Sequence, residues 1–243
     1  MAESNRDIKE EYYLVCEKRW VFSMLMLVAG FYGAFTYSIR GGIFCNAQTA
    51  NFVLFAMALG SFQWKNALYY LIPMAAYLLG AIVSEAVPNY VKKTHIIRWD
   101  TLLVLIEMVA VVILGFLPET APFQISQITI NFICSMQYNT FRQAQGVPMA
   151  TTFCTNHLRQ IGIAIVKGAR NSSDENHVKR MKEHVKMLVL FVIGATVSTM
   201  LCNIFLGKAI WFALIPLTIV FSGLLYADRK TEQDMIEATP KGH

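Results

Sequence analysis

The residue with the clearest capacity for chemistry is Glu107, which stands inside an apolar run between Leu102-Leu-Val-Leu-Ile106 and Met108-Val-Ala-Val-Val-Ile-Leu114. A carboxyl group in such a run is costly to bury unless it is protonated or paired. Burial favours the neutral form, so Glu107 could take up and release a proton near neutral pH. A glutamate that merely ties two helices together by hydrogen bonds would have the same sequence signature. Two polar patches come next, Gln48-Thr-Ala-Asn51 and Thr151-Thr-Phe-Cys-Thr-Asn-His157. Each opens a short apolar helix, and the free backbone N–H groups of a helix N-terminus favour an anion or a polar, carboxylate-like group. Thr49, Asn51, Thr152, Thr155 and Asn156 can also act as caps. One cap per helix suffices, so the surplus of polar side chains points to a pathway for a solute.

Other polar side chains could line the same route or simply join helices. Gln137 and Asn139 fall late in an apolar run that also carries Gln127 and Asn131 at i, i+4 spacing. That pattern suits a cavity wall and interhelical hydrogen bonds equally well. Arg40 and Arg142 stand at junctions between apolar runs and patches, where an arginine can hold an anion or snorkel to the interface. His157 can titrate near neutrality. With Cys154 at i, i+3 it could also form a nucleophile–base pair, with Thr152 and Thr155 as other nucleophiles, but no third orienting group can be named. The sequence has no Walker loop, HExxH, nucleophile elbow or dinucleotide fingerprint. Cys16, Cys45, Cys134, Cys154 and Cys202 are odd in number and lack CxxC spacing, so neither a disulfide framework nor a zinc site is expected. No catalytic residue, metal or cofactor is assigned on these grounds.

The elements that must hold these residues follow from composition. Of 243 residues, 55% are hydrophobic and only 15% charged, and mean hydropathy is +0.43; soluble domains are nearer a quarter charged. About 20 helical residues cross the ~30 Å hydrocarbon layer. Six runs meet that test: 20–38, 66–87, 99–117, 123–140, 185–205 and 209–225. None alternates with period two, so they read as helices and not as barrel strands. The patches belong to two shorter runs, 41–63 and 147–166, whose helical parts, 50–62 and 152–166, extend roughly 20–22 Å at 1.5 Å per residue. That is short of a crossing, so each is expected to dip in and return; a seventh and an eighth span with broken starts stay open as alternatives.

Charge favours six crossings. With a cytoplasmic N-terminus, every Lys and Arg except Arg40, Lys65 and Lys208 then lies inside, 18 of the 21. If both short runs crossed, the Lys92, Lys93 and Arg98 cluster would move outside. Trp20, Trp64, Trp99 and Trp211 stand at or near run ends, where an indole suits the interface. The net charge of +5 therefore marks one membrane face and not a nucleic-acid surface. Residues 1–19 and 228–243 are read as cytoplasmic tails of a single membrane domain. The charged start runs directly into a full span, unlike a cleavable signal peptide. The Asn171-Ser-Ser173 sequon falls on the cytoplasmic side and is set aside.

The two halves also resemble each other. At an offset of 106, Gly42-Ile-Phe-Cys-Asn-Ala-Gln-Thr-Ala-Asn51 lies over Pro148-Met-Ala-Thr-Thr-Phe-Cys-Thr-Asn-His157, and Tyr32 lies over Tyr138. At an offset of 114, Tyr77-Leu-Leu-Gly-Ala-Ile-Val-Ser84 matches Phe191-Val-Ile-Gly-Ala-Thr-Val-Ser198. Repeat one covers about 20–117 and repeat two about 123–227. Three crossings per half is odd, which inverts the second copy relative to the first, a recurring plan of transporters and channels.

At these residues the chain resembles the YoaK family, bacterial polytopic membrane proteins whose domain has no established function. The family pattern "G-F-x-D-A … F … T-G-N" is met by Gly30-Phe-Tyr-Gly-Ala34 and Phe44-Cys-Asn-Ala-Gln-Thr-Ala-Asn51. The pattern "G-x-Q-N … T-T-x-x-T-G" is met by Met136-Gln-Tyr-Asn139 and Thr151-Thr-Phe-Cys-Thr-Asn156. Gly33 stands where the family usually has aspartate, and Ala50 and Asn156 where it has glycine. The resemblance implies an all-α polytopic fold in the plasma (cytoplasmic) membrane and supplies no substrate.

The expected function is a small-solute or ion-coupled transporter or channel-like permease. Its polar core would comprise Glu107, Gln48, Thr49, Asn51, Gln137, Asn139, Thr152, Thr155, Asn156 and His157. An intramembrane hydrolase of a small or lipidic molecule and a non-catalytic scaffold or regulator are the alternatives. Membrane lipid and an unidentified solute or ion are the expected partners, without nucleic acid, and a homo-oligomer is compatible with the sequence. A transport route would join Glu107 to both patches through a polar cavity.

Overall fold

The computed structural model describes residues 12–170 and 175–240; the first eleven residues and the Asn171–Ser173 sequon lie outside them. Within this range the fold is helical, with one two-stranded hairpin. The principal helices are α1 (Arg19–Ile39), α2 (Gln48–Gly60), α3 (Trp64–Ala86), α4 (Pro88–Lys92), α5 (Trp99–Gly115), α6 (Phe123–Thr140), α7 (Cys154–Arg170), α8 (Glu175–Phe205) and α9 (Leu214–Tyr226). Strands β1 (Gln143–Ala144) and β2 (Val147–Pro148) pair antiparallel between α6 and α7. Among the described residues, three helical runs are long and apolar enough to cross a membrane: Arg19–Ile39, Trp64–Lys92 and Asn176–Thr231.

Burial ranks these runs. The most apolar stretch of α1 is 67% buried, against 33% for Trp64–Lys92 and 17% for Asn176–Thr231. α1 is thus the core of the bundle, and the other two give much of their apolar surface to the surroundings, as helices facing lipid do. α1 packs most extensively on α8, and α3 on α6. Both contacts need glycine. A Cβ at Gly80 would collide with the carbonyl oxygen of Phe132, and one at Gly194 with that of Leu27. Backbones approach this closely only where a side chain is missing, the device of small-residue helix pairs.

The ends of the bundle are sorted. Arg19, Arg98, Thr140, the β1–β2 hairpin and Asp228 share one end with the segment before α1: Gln145 N–H donates to the Glu17 carbonyl at 2.9 Å, and Val15 N–H donates to Glu232 Oε1 at 2.8 Å. At the other end Arg40 meets Glu119 at 3.4 Å, and Gly207 N–H donates to Glu119 Oε1 at 2.8 Å.

Several boundaries differ from expectation for local reasons. α7 begins at Cys154, after Thr151 and Thr152 have been buried in a bent approach, and runs on to Arg170. Lys167 and Arg170 lie in its last turn, where basic side chains complement the helix dipole. α8 begins at Glu175 and not at 185, because the charged stretch before its apolar part is rich in good helix formers. Residues 209–213, expected to open the last span, instead belong with 206–208 to a 3-10 helix (Leu206–Ala213) ahead of α9. Pro216, in the first turn of α9, has no N–H to donate to the Phe212 carbonyl, so α-helical bonding back into residues 206–213 is lost there.

The two short runs are broken at their starts by left-handed backbone. Gly41 and Gly42 have φ of 84° and 71°, and Gln145 and Gly146 have 48° and 75°. The latter pair turns the hairpin, a geometry that suits the twist of two antiparallel strands. After each break the chain passes inward, burying Ile43, Cys45 and Asn46 in one case and Met149 to Thr152 in the other. α2 and α7 then return along the outside of the bundle, packed on α3 and α8 respectively.

Candidate functional site

Glu107 is fully enclosed, on the inward face of α5 with Leu103, Val104 and Val111. The Tyr32 hydroxyl of α1 faces its carboxyl group. Neither carboxyl oxygen nor the phenol oxygen meets full hydrogen-bond geometry with any partner. Cys134 of α6 is close by, and Cys45 from the first inward segment lies beside Cys134. One acid, one phenol and two thiols therefore converge from four separate parts of the chain. A buried polar group without a partner is rare and asks for an explanation.

The first broken segment is wired to its surroundings. Asn51 Nδ2 donates to the Phe44 carbonyl at 2.7 Å, and Phe44 N–H donates to Asn51 Oδ1 at 3.3 Å. Gln48 Nε2 donates to Asn131 Oδ1 at 2.8 Å, Asn131 Nδ2 donates to the Gln127 carbonyl at 2.8 Å, and Gln127 Nε2 donates to the Arg40 carbonyl at 2.6 Å. Asn46 Nδ2 donates to the Ala29 carbonyl at 3.1 Å. A Cβ at Gly33 would lie 3.2 Å from that Asn46 nitrogen, so the Asn46 amide fills the space beside the residue that stands in place of the family aspartate.

The second segment follows the same path with different groups. His157 Nε2 lies 2.8 Å from the Ala150 carbonyl, and its Nδ1 lies 2.9 Å from Nδ1 of His184 on α8. Thr151 and Thr152 are buried, and neither hydroxyl has a partner; the same holds for both amide atoms of buried Gln137. Asn139 turns instead to the bundle end, where Nδ2 donates to Ser84 Oγ at 2.9 Å and Arg142 holds Glu85 at 2.8 Å. Thr49 and Thr155 are exposed, and Asn156 accepts from Arg159 at 3.0 Å. Of the ten sequence-derived site residues, Gln48 and Asn51 thus join one network, Gln137 and Thr152 are buried without partners, and Thr49, Thr155 and Asn156 lie toward the surface. His157 commits both ring nitrogens, which leaves no base for Cys154.

Two cavities open near the Asn139 end. One of about 180 Å³ is lined by Glu85, Lys92, Trp99, Asp100 and the 236–240 segment, and one of about 320 Å³ by Asn139, Arg142 and Asn156. Neither reaches Glu107, so the expected continuous route is closed in this arrangement. Beneath the first cavity lies an ion cluster that sequence reasoning missed. Arg98, 3% exposed, holds Asp100 at 3.1 Å and Asp228 at 3.9 Å, and donates to Cys16 Sγ at 3.4 Å. Burial opposes the Arg98 charge, but Asp100 and Cys16 outweigh it and raise the guanidinium above its ordinary value. Burial also pushes the Cys16 thiol well up, with Asp100 adding to the effect. Tyr32, Cys45, Cys134 and His184 were also missed. The repeat alignment, which carries Tyr32 and Cys45, held the signal for those two, whereas pairing across distant segments left no local pattern for Cys134 or His184.

These features define a helical membrane protein with a sealed carboxyl group, Glu107, beside its first interrupted segment. Residues 21–223 match the family described as "Protein of unknown function (DUF1275)", and the chain belongs to that family. No curated protein and no solved structure is significantly similar to it.

Proposed function

We propose that this protein is a small-solute or ion-coupled permease in which Glu107 carries a proton. The observation that carries the reading is the Glu107 carboxyl itself, fully enclosed with the Tyr32 hydroxyl facing it. An intramembrane acid is a functional group by default, since its cost must be offset by what it does. Unpaired Gln137, Thr151 and Thr152 supply further polar groups of the kind a small solute or a file of water would satisfy. Because Glu107 is sealed, turnover requires one inward segment to move.

The six-crossing, inverted-repeat architecture belongs to the same proposal and agrees with the resemblance to the YoaK family. Support comes from the matched close approaches at Gly80 and Gly194 and from the reciprocal packing of α1 on α8 and α3 on α6. The presence of Arg19 and Arg98 at one end favours a cytoplasmic position for that end by the positive-inside rule.

Purified protein in liposomes, assayed for proton flux and for uptake of small anions, tests the reading. Glu107→Gln is expected to reduce proton flux at least tenfold and Cys154→Ala to leave it unchanged. Wild-type flux in the Glu107→Gln protein would overturn the assignment, and hydrolysis lost in Cys154→Ala would favour the enzyme.

A further inference from the structure

His157 and His184 are both fully buried, and their Nδ1 atoms are 2.9 Å apart. The tautomers can be deduced. The Ala150 carbonyl only accepts, so His157 Nε2 carries a hydrogen and donates to it. In the neutral ring Nδ1 is then a bare acceptor, and the hydrogen between the rings belongs to His184 Nδ1. That leaves His184 Nε2 as an acceptor, and it has no partner. The contact holds a single hydrogen. If both rings became cations, two N–H groups would point at each other across 2.9 Å with no acceptor between them, and the contact would break.

The flanking charges do not relieve such a dication. Arg180, one turn before His184, acts against a positive charge on it, and Arg180 Nη2 donates to Gln160 on α7 at 3.1 Å. Glu183 is turned to Arg19 of α1 at 3.0 Å, and Arg159 to Asn156; Cys154 is the remaining titratable group on this part of α7. α7 rests on α8 mainly through His157, Gln160 and Ala164, its only buried residues. The equivalent position in the first segment is Asn51, which makes the same return bond to backbone seven residues earlier and cannot gain charge.

We propose that the His157–His184 pair is a proton-binding site that latches α7 to α8 and releases the second inward segment when both rings are protonated. Acidity would then act on one of the two broken elements only. The latch does not depend on what passes Glu107, so it can stand or fall separately from the permease reading.

Hydrogen–deuterium exchange of the full chain in lipid nanodiscs tests it, at about pH 7.5 and about pH 3.5, the lower value set far below the ordinary histidine value of about 6.5 because two adjoining buried rings resist a second proton. After correction for intrinsic exchange, α7 protection is expected to fall at least tenfold at the lower pH while α2 is unchanged. His157→Asn, which replaces the titrating ring by the amide found at Asn51, should give α7 the same protection at both values. His184→Gln should likewise remove the pH response, and it decides the matter if His157→Asn does not fold. Equal responses of α7 and α2, or a wild-type response in His184→Gln, would overturn the proposal.

Discussion

At the start of α2, Asn51 exchanges two hydrogen bonds with the backbone of Phe44; at the start of α7, His157 donates to the backbone of Ala150. Both residues close a bond over seven positions, and the same sequence offset relates both ends of it. Around this shared tie the segments diverge. Asn46 is bonded to the Ala29 carbonyl, and Asn51 and Gln48 begin a chain that runs through Asn131 and Gln127 to the Arg40 carbonyl. Thr151, Thr152 and Gln137 are buried with nothing to bond. The contrast separates two demands on a broken helix. The return bond fixes how the chain enters the bundle and is kept in both, whereas the groups deeper in are free to differ. The first segment is a wedge set in place, and the second holds polar groups in reserve.

Substitutions can break or sharpen this contrast. The largest effect is expected for Asn51→Ala, which leaves the Phe44 N–H and carbonyl without their partner and should cost about 3 kcal/mol, read as thermal unfolding in detergent. Gly80→Ala and Gly194→Ala should each cost about 2 kcal/mol by forcing paired backbones apart; clearly unequal losses would weaken the equivalence of the halves. A smaller and more telling difference is expected between two glutamines. Gln48→Leu strips Asn131 of its donor and should destabilise by about 1 kcal/mol, whereas Gln137→Leu removes an amide that bonds nothing and should be neutral or stabilising by about 1 kcal/mol while lowering flux. Least of all, Thr151→Val and Thr152→Val should change stability by under about 0.5 kcal/mol. A large loss in either would mean that the hydroxyls are bonded in the membrane and that the second segment is as fixed as the first.

Much of the fold was legible because membrane helices declare themselves by length and apolarity. The run 123–140 coincides with α6, and 20–38 lies one residue inside each end of α1. The offset that placed Asn51 over His157 identified two residues with the same structural duty, although both had been read as pathway groups. Glu107 was visible because a lone acid in an apolar run is a local anomaly. Its neighbours were not, since Tyr32, Cys45 and Cys134 look like ordinary apolar or interfacial residues until the chain brings them together. His184 was hidden for a related reason: in a charged stretch it reads as solvent-facing, and only the docking of α7 buries it. The polar patches misled in part because sequence marks where polar residues begin, not which of them turn outward, and Thr49 and Thr155 turn outward.

The Arg98 cluster has a consequence for how the protein is made. Arg98 leaves the ribosome long before Asp228, to which its own N–H donates at 3.0 Å, and before Met235, whose carbonyl accepts from its guanidinium at 3.3 Å. Until those residues arrive, the guanidinium and Asp100 remain partly solvated and the lower end of the bundle cannot close. Closure of this end therefore waits on the segment that follows α9, and until Asp228 and Met235 dock the growing chain carries an open, hydrated seam around Arg98.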